Sequence, residues 1–325
     1  MARTEQKNSG TESAASPAGS SSAAVINQGE KILALFVVAL PTLGALATGV
    51  HAMTFGVSSV DLWLLAAGYV LTVFGTTIGF HRLATHRAFR THGALAALFY
   101  IFGSMSAQGP LLWWAATHRL HHQKSDQAGD PHSPVFKGER RLSAWQGFWH
   151  AHSGWFFGHE NADWLFFIPD LLKDRVAFAI HRQYFFWVLL GLALPALIGG
   201  LLSGTAMGIL SGFLWGGLLR VFVVQHVTWA INSLCHMFGD RPLFTRDQSR
   251  NNALMIFLAL GEGWHNHHHA FPAAASNQFR WWQFDASGLV IQVLGRLGLA
   301  RDIQAPTPEM LARSRERRLA ADAGG

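Results

Sequence analysis

The sequence predicts an all-α membrane protein, with four transmembrane helices in two hairpins and a cytoplasmic helical cap. Three observations carry this. Half of the 325 residues are hydrophobic and only 14% are charged, unlike an ordinary soluble domain. Four apolar stretches, near 32–50, 62–80, 185–203 and 208–231, reach the roughly 20 residues needed to cross a bilayer. Basic residues are unevenly placed: connections 51–61 and 203–208 hold no Lys or Arg, whereas 81–182 and the region after 236 are rich in Arg. Positive-inside bias then puts both termini and the long middle segment in the cytoplasm.

Residues 1–30 are rich in Ser, Ala, Gly and Thr and lack the basic-plus-apolar pattern of a cleaved signal, so a disordered tail is expected there. Residues 31–300 form the membrane domain, whose cap comprises 81–184 and 232–300. Segment 93–116 is also apolar, but Gln108-Gly109-Pro110 interrupts it, and it is expected to be an interfacial or re-entrant helix rather than a fifth span. Continued as one helix from 208 to 236, the last span would be about 43 Å long against a hydrocarbon layer of roughly 30 Å, so its final turns should rise into the cytoplasm. Arg220 lies inside this span and is expected to face the protein interior, snorkelling being the other option. Residues 301–325 are polar and basic, which suits a solvated tail or a short helix on anionic lipid. The net charge of +6 follows from topology-setting arginines and implies no nucleic-acid binding. Cys235 is the lone cysteine, which excludes an internal disulfide and a four-cysteine cluster, so any electrons come from outside the chain.

Nine of the 18 histidines fall into three boxes and one outlier: His81 and His86 in HRLATH, His118, His121 and His122 in HRLHH, His265, His268 and His269 in HNHHH, and His236 in NSLCH. Side chains at i, i+3 and i+4 share one face of a helix, so the second and third boxes each offer a metal-facing stripe. HRLATH spaces its pair at i, i+5, too wide for one tight stripe, so its rings serve different metals or straddle a helix end. Nine imidazoles fill most of two coordination spheres, and with no cysteine or carboxylate set the pattern predicts a dinuclear imidazole site. All nine fall on the cytoplasmic side of the predicted topology.

HRLATH, HRLHH, NSLCH and GEGWHNHHHAFP, in that order, together with GDPHSP, HSGWFF at 152–157 and LLRVFVVQHVTWAINSLCH, resemble the membrane fatty-acyl desaturases of the Δ9, stearoyl-CoA desaturase-like type. The likeness spans roughly residues 31–300. It implies a four-span bundle whose cap houses two irons bound by the nine box histidines, with Asn232 linked to a metal through a water. Thr228 and Trp229 then match the lining of the bend in an acyl channel, and Gln108 a polar residue near that bend. His267 falls at a variable position. The resemblance further implies O2 as co-substrate, an acyl-CoA or acyl-lipid substrate, and a separate ferredoxin, flavoprotein reductase or cytochrome b5-like donor. With no fused cytochrome b5 module and a first box ending in Ala-Thr-His, the chain suits the bacterial branch and a bacterial cytoplasmic membrane. Zinc could occupy the same imidazoles in a purified sample. The alternatives are a histidine-box hydroxylase and a metal-transport or non-catalytic metal-binding membrane protein.

Tyr69, twelve residues before His81 and about 18 Å away along a helix, is a candidate for the closed end of the channel. His132, His150, His152 and His159 are expected to be structural hydrogen-bonding groups, and His51, His92, His181 and His226 background. Asp126 and Asp130 suit either orienting an imidazole or capping a helix, and Glu262 a supporting role. Trp113, Trp114, Trp281 and Trp282 are expected to anchor interfacial segments. Arg119, Arg140, Arg141 and Lys124 are explained by topology as well as by phosphate binding.

Overall fold

The computed structural model describes residues 27–158 and 161–323 and is predominantly helical. Helix α1 (Gln28–Phe55) starts with a reciprocal cap: the Glu30 backbone N–H donates to the Asn27 side chain, and the Asn27 N–H donates to the Glu30 carboxylate. Residues 28–30, assigned by sequence to a tail, are thus the first turn of this helix. The rest of that tail, 1–26, lies outside the described residues. Ser58 and Asp61 build the same cap on α2 (Ser59–Thr85). Then follow α3 (Gly93–Met105), α4 (Leu111–Lys124), α5 (Ala144–His152) and α6 (Arg175–Arg182). Next come two long helices, α7 (Tyr184–Ser203) and α8 (Ala206–Met237), and then α9 (His265–Ala270), α10 (Ala286–Arg296) and α11 (Pro308–Ala323).

Among the described residues, helices α1, α2, α7 and α8 are the four long and apolar enough to cross a membrane. The last is central. Over its most apolar window 56% of residues are buried, against 11% for α7, and α1, α2 and α7 all pack on its middle segment Phe213–Leu219. That segment and the end of α2, Gly75–Thr85, are wound as π-helix, a winding that concentrates at functional positions. Arg220 follows the first of these windings. It is buried, as expected, and donates to the carbonyls of Gly216, Met105 and Gly191, so its charge is met by three oxygens within the bundle.

Helix α3 has 13 residues, which is about 20 Å and too short to span. It packs on α2, α6 and α7, and the chain breaks at 106–110 before α4. Its approach to α2 depends on glycines, since a Cβ on Gly75 would lie 2.1 Å from the Gly103 nitrogen. Two short antiparallel ladders, Arg90–Thr91 with Ala300–Arg301 and Phe136–Lys137 with Arg140–Arg141, tie down loops between the helices. Helix α11 occupies the segment expected to be a solvated tail or a short surface helix, and it is the helix that forms. It docks on the 241–244 loop through Ser314, whose carbonyl and hydroxyl accept from the Phe244 N–H, and through Arg318, which donates to the Arg241 carbonyl.

Gly75→Val should force α3 off α2 and cost about 1–3 kcal/mol or more, as overpacking does. A clear drop in the thermal midpoint of the detergent-solubilised protein is the expected outcome, and an unchanged midpoint would contradict the close helix contact.

Candidate metal centre

Local helix winding decides which histidines meet. At the end of α2 the His86 backbone N–H donates to the His81 carbonyl, an i to i−5 bond of 3.0 Å. One π-turn therefore sets the two rings side by side, with centroids 4.8 Å apart. The i, i+5 spacing is the repeat of this winding, so the pair serves one group although His86 sits at the helix end. On α4, His118 and His122 are one α-turn apart with Nε2 atoms 3.1 Å from each other, while His121 points to the other group. On α9, His265 and His269 turn one way and His268 the other. The second and third boxes are thus split between two groups rather than each presenting one stripe.

One group gathers His81, His86, His118, His122 and His268, and the other His121, His236, His265 and His269. Within each, the donor nitrogens all lie within 4.8 Å of one another. The groups adjoin, since the His122 and His269 rings stack at 4.5 Å.

Four of the rings are aimed by carboxylates. Nδ1–H of His81 donates to Glu262 (3.0 Å), that of His121 to Asp130 (3.0 Å), that of His236 to Asp126 (2.8 Å) and that of His269 to Asp247 (2.9 Å). A neutral ring with its proton on Nδ1 directs the Nε2 lone pair into the group. Asp126 and Asp130 orient rings and also bind backbone, accepting from the N–H groups of Gln248 and of Asp126 and His132 respectively. Glu262 is held by buried Arg82, which also pairs with Asp285. Burial opposes ionisation of Glu262, but Arg82 and His81 outweigh it and hold the carboxyl at about 2. Burial, then repulsion from neighbouring imidazoles, keeps His86, His118, His122 and His268 well below the ordinary histidine range, as it does His121 and His265. Neutral imidazole is the form that binds a metal.

The donor set fits metal ions. Nε2 of His268 lies 3.1 Å from that of His81 and 2.9 Å from that of His122, and the Nε2 atoms of His236 and His265 are 2.9 Å apart. With Nδ1 carrying the proton in His81 and His236, lone pairs face other ring nitrogens at hydrogen-bond distance. Donors bound at about 2.0–2.1 Å to one ion would be spaced in this way. Nε2 of His86 and of His269 is buried with no hydrogen-bond partner.

Against the groups lies a cavity to which His81, His118 and His265 contribute walls. Gln108, Thr228, Trp229 and Asn232 line it, and the Gln108 amide donates to the Thr228 hydroxyl at 2.8 Å. On the α2 side the lining runs from His81 through Thr77 and Thr76 to Val73. Tyr69 is not part of it. Its hydroxyl donates to the Leu258 carbonyl, and Val73, one turn nearer His81, is the last α2 residue on the lining. Gln108, Trp113 and Phe156 also line a second cavity, which reaches Leu33, Ala34 and Val37 of α1.

Trp113 and Trp114 wall the first cavity, while Trp281 and Trp282 are exposed. Arg119 is not free for phosphate: it is bound to Asp170 and to the carbonyls of Ala84, Thr85 and Phe167. Sequence reasoning missed Arg82, Asp247 and Asp285, none of which stands in a ligand pattern. It left out His267 consistently with the structure, where that ring takes the Asn277 carbonyl and stacks on Trp264 and Phe279. His132 packs on His121, with centroids 4.2 Å apart, and lines the cavity. His226, expected to be background, pairs with His152 at 3.0 Å. His159 lies outside the described residues.

The fatty acid desaturase family model matches residues 61–286. A hex-5-enoyl-[acyl-carrier protein] acetylenase of Moorena producens is 39% identical over 274 residues, covering 84% of this chain and 85% of the relative. An acyl-CoA C20 Δ5-desaturase of Anemone leveillei is 37% identical over 258 residues, covering 76% and 75%. An sn-1 stearoyl-lipid 9-desaturase of Anabaena variabilis is 36% identical over 232 residues, covering 71% and 78%. With four candidate spans and two imidazole groups able to hold metal, the chain belongs to the fatty acid desaturase family, as a membrane oxidoreductase acting on fatty acyl chains.

Proposed function

We propose that the chain is an O2-dependent desaturase that places a cis double bond, at Δ9, in a long saturated acyl chain by means of two irons and external electrons. One observation carries this reading: the apolar cavity shares His81, His118 and His265 with the two imidazole groups, so a chain in the cavity lies against both. The nine histidines are the ligands in this reading, and Asn232, on the cavity wall with His265, acts through a water. Zinc taken up in their place would leave the centre inactive.

When bound, the iron pair supplies O2 activation, so that –CH2–CH2–, O2, two electrons and two protons become –CH=CH– and two waters. The chain's own residues supply position and dryness. A saturated tail has no polar handle, so the site of reaction follows from where a narrow wall bends it. Trp229 and the Gln108–Thr228 pair form that wall. Glu262, Asp130, Asp126 and Asp247 fix the rings whose Nε2 atoms face inward.

The Δ9 position rests on likeness to the stearoyl-CoA desaturase-like segments and on the 9-desaturases among the relatives. The acyl group rides on coenzyme A or a glycerolipid, and a ferredoxin, flavoprotein reductase or cytochrome b5-like protein delivers the electrons. The two-hairpin topology, with both termini and the metal centre at the cytoplasmic face of a bacterial membrane, rests on the Arg asymmetry.

Expression in a host lacking its own desaturase, with double bonds located by mass spectrometry in each lipid class, should yield one Δ9 alkene. A hydroxylated chain would point to the related hydroxylase, and metal uptake without unsaturation to transport. His121→Ala should abolish the product while leaving the protein in the membrane; retained product would remove His121 from the centre. Glu262→Gln should weaken metal retention about 10–100-fold, as loss of a ring-orienting partner does, measured as iron per chain after dialysis. Equal iron content would show that Glu262 does not orient His81. Val73→Phe should shift preference toward shorter acyl chains, and an unchanged chain-length profile would move the stop elsewhere.

A further inference from the structure

We propose that His152, His226 and Ser233 form a positioning clamp on Trp229 that sets which carbon pair of the acyl chain reacts. The inference rests on the desaturase reading above. His152, on α5, is buried, and both of its ring nitrogens are engaged: Nε2 lies 3.0 Å from Nδ1 of His226 and Nδ1 lies 3.1 Å from the Ser233 hydroxyl. Ser233 in turn donates to the Trp229 carbonyl at 3.2 Å.

The hydrogens on these groups allow one continuous direction. The single Ser233 hydrogen is spent on Trp229, so Ser233 accepts from His152, which must carry its proton on Nδ1. A neutral ring protonated there presents a bare Nε2, which accepts from Nδ1–H of His226. The result is a chain of three hydrogen bonds running from His226 through His152 and Ser233 to the backbone of Trp229. Burial lowers His152 to about 4, in keeping with a neutral ring.

The same residues hold the Trp229 indole. Its ring is met by His226 at 5.1 Å, by Phe156 at 5.3 Å and by His152 at 6.0 Å, the last edge-on. Trp229 is almost fully buried and lines the cavity. Neither His152 nor His226 belongs to the imidazole groups able to hold metal, and neither lines the cavity. Their effect on the substrate must therefore pass through Trp229. With the clamp intact, one indole orientation is selected and the acyl chain bends at one place. Without it, the indole samples more than one orientation and the chain registers at neighbouring carbons.

The test uses the full-length, iron-loaded protein in membranes with a saturated C18 acyl pool, and compares wild type with His152→Phe, His226→Phe and Ser233→Ala. Double-bond position, total product and iron per chain are measured for each. The wild type should give a single positional isomer. His152→Phe keeps a ring of similar size but removes both hydrogen bonds, and the fraction of adjacent-position isomers should rise at least tenfold with iron content unchanged. His152→Gln, which retains a donor and an acceptor, should restore the wild-type isomer in part. Should His152→Phe fail to accumulate, Ser233→Ala, which deletes a single oxygen, must show the same broadening. One isomer throughout, with only total product changed, would overturn the clamp. Absence of any alkene from the iron-loaded wild type would instead overturn the desaturase reading.

Discussion

Burying nine imidazoles together is costly, and everything around the centre answers that constraint. A buried ring nitrogen without a partner loses its hydration, and a buried charged ring among others is repelled. Both difficulties are met by the same device. Carboxylates accept Nδ1–H of His81, His121, His236 and His269, which gives those buried nitrogens a partner, offsets positive charge on the rings and leaves their Nε2 atoms converging. Nitrogens gathered at this spacing are a donor set that suits a cation, and the carboxylates behind them hold it in place.

The fold exists to bring these rings to one level. His81 and His86 ride on the π-wound end of α2, His236 lies at the last turns of the central helix α8, and α4 and α9 close the site. Arg82 locks this arrangement from behind, gripping Glu262 and Asp285 while its neighbour His81 faces the group. Arg220 does a similar job deeper in the bundle, joining α3, α7 and α8 through backbone carbonyls. Between these two buried arginines lies the cavity, walled by side chains that α2, α4 and α8 present to one another.

Much of this is legible in the sequence because its strongest signals are local. Apolar runs mark the four long helices, and i, i+3, i+4 spacing marks the ligand-bearing faces of α4 and α9. What escapes is what depends on winding or on partners distant in sequence. The i, i+5 pair looks wrong for a helix until α2 turns out to be π-wound. Asp247 has no pattern that announces it, yet it orients His269. Trp113 and Trp114 look like interfacial anchors by composition, and only the packing of α4 turns them onto the cavity. Tyr69 lies on the same helix one turn beyond the lining at Val73, where the Leu258 carbonyl takes its hydroxyl. The tail residues 28–30 look disordered until the Asn27–Glu30 cap is seen.

The central claim is that two groups of imidazoles hold two metal ions side by side. Mössbauer spectroscopy of protein purified from cells grown on iron-57, with iron counted per chain, tests it most directly. Two irons per chain in nitrogen-rich surroundings, with one set of signals lost on His236→Ala and the other on His86→Ala, is the predicted result. Less than one iron per chain in fully folded protein, or spectra indifferent to both substitutions, would contradict it.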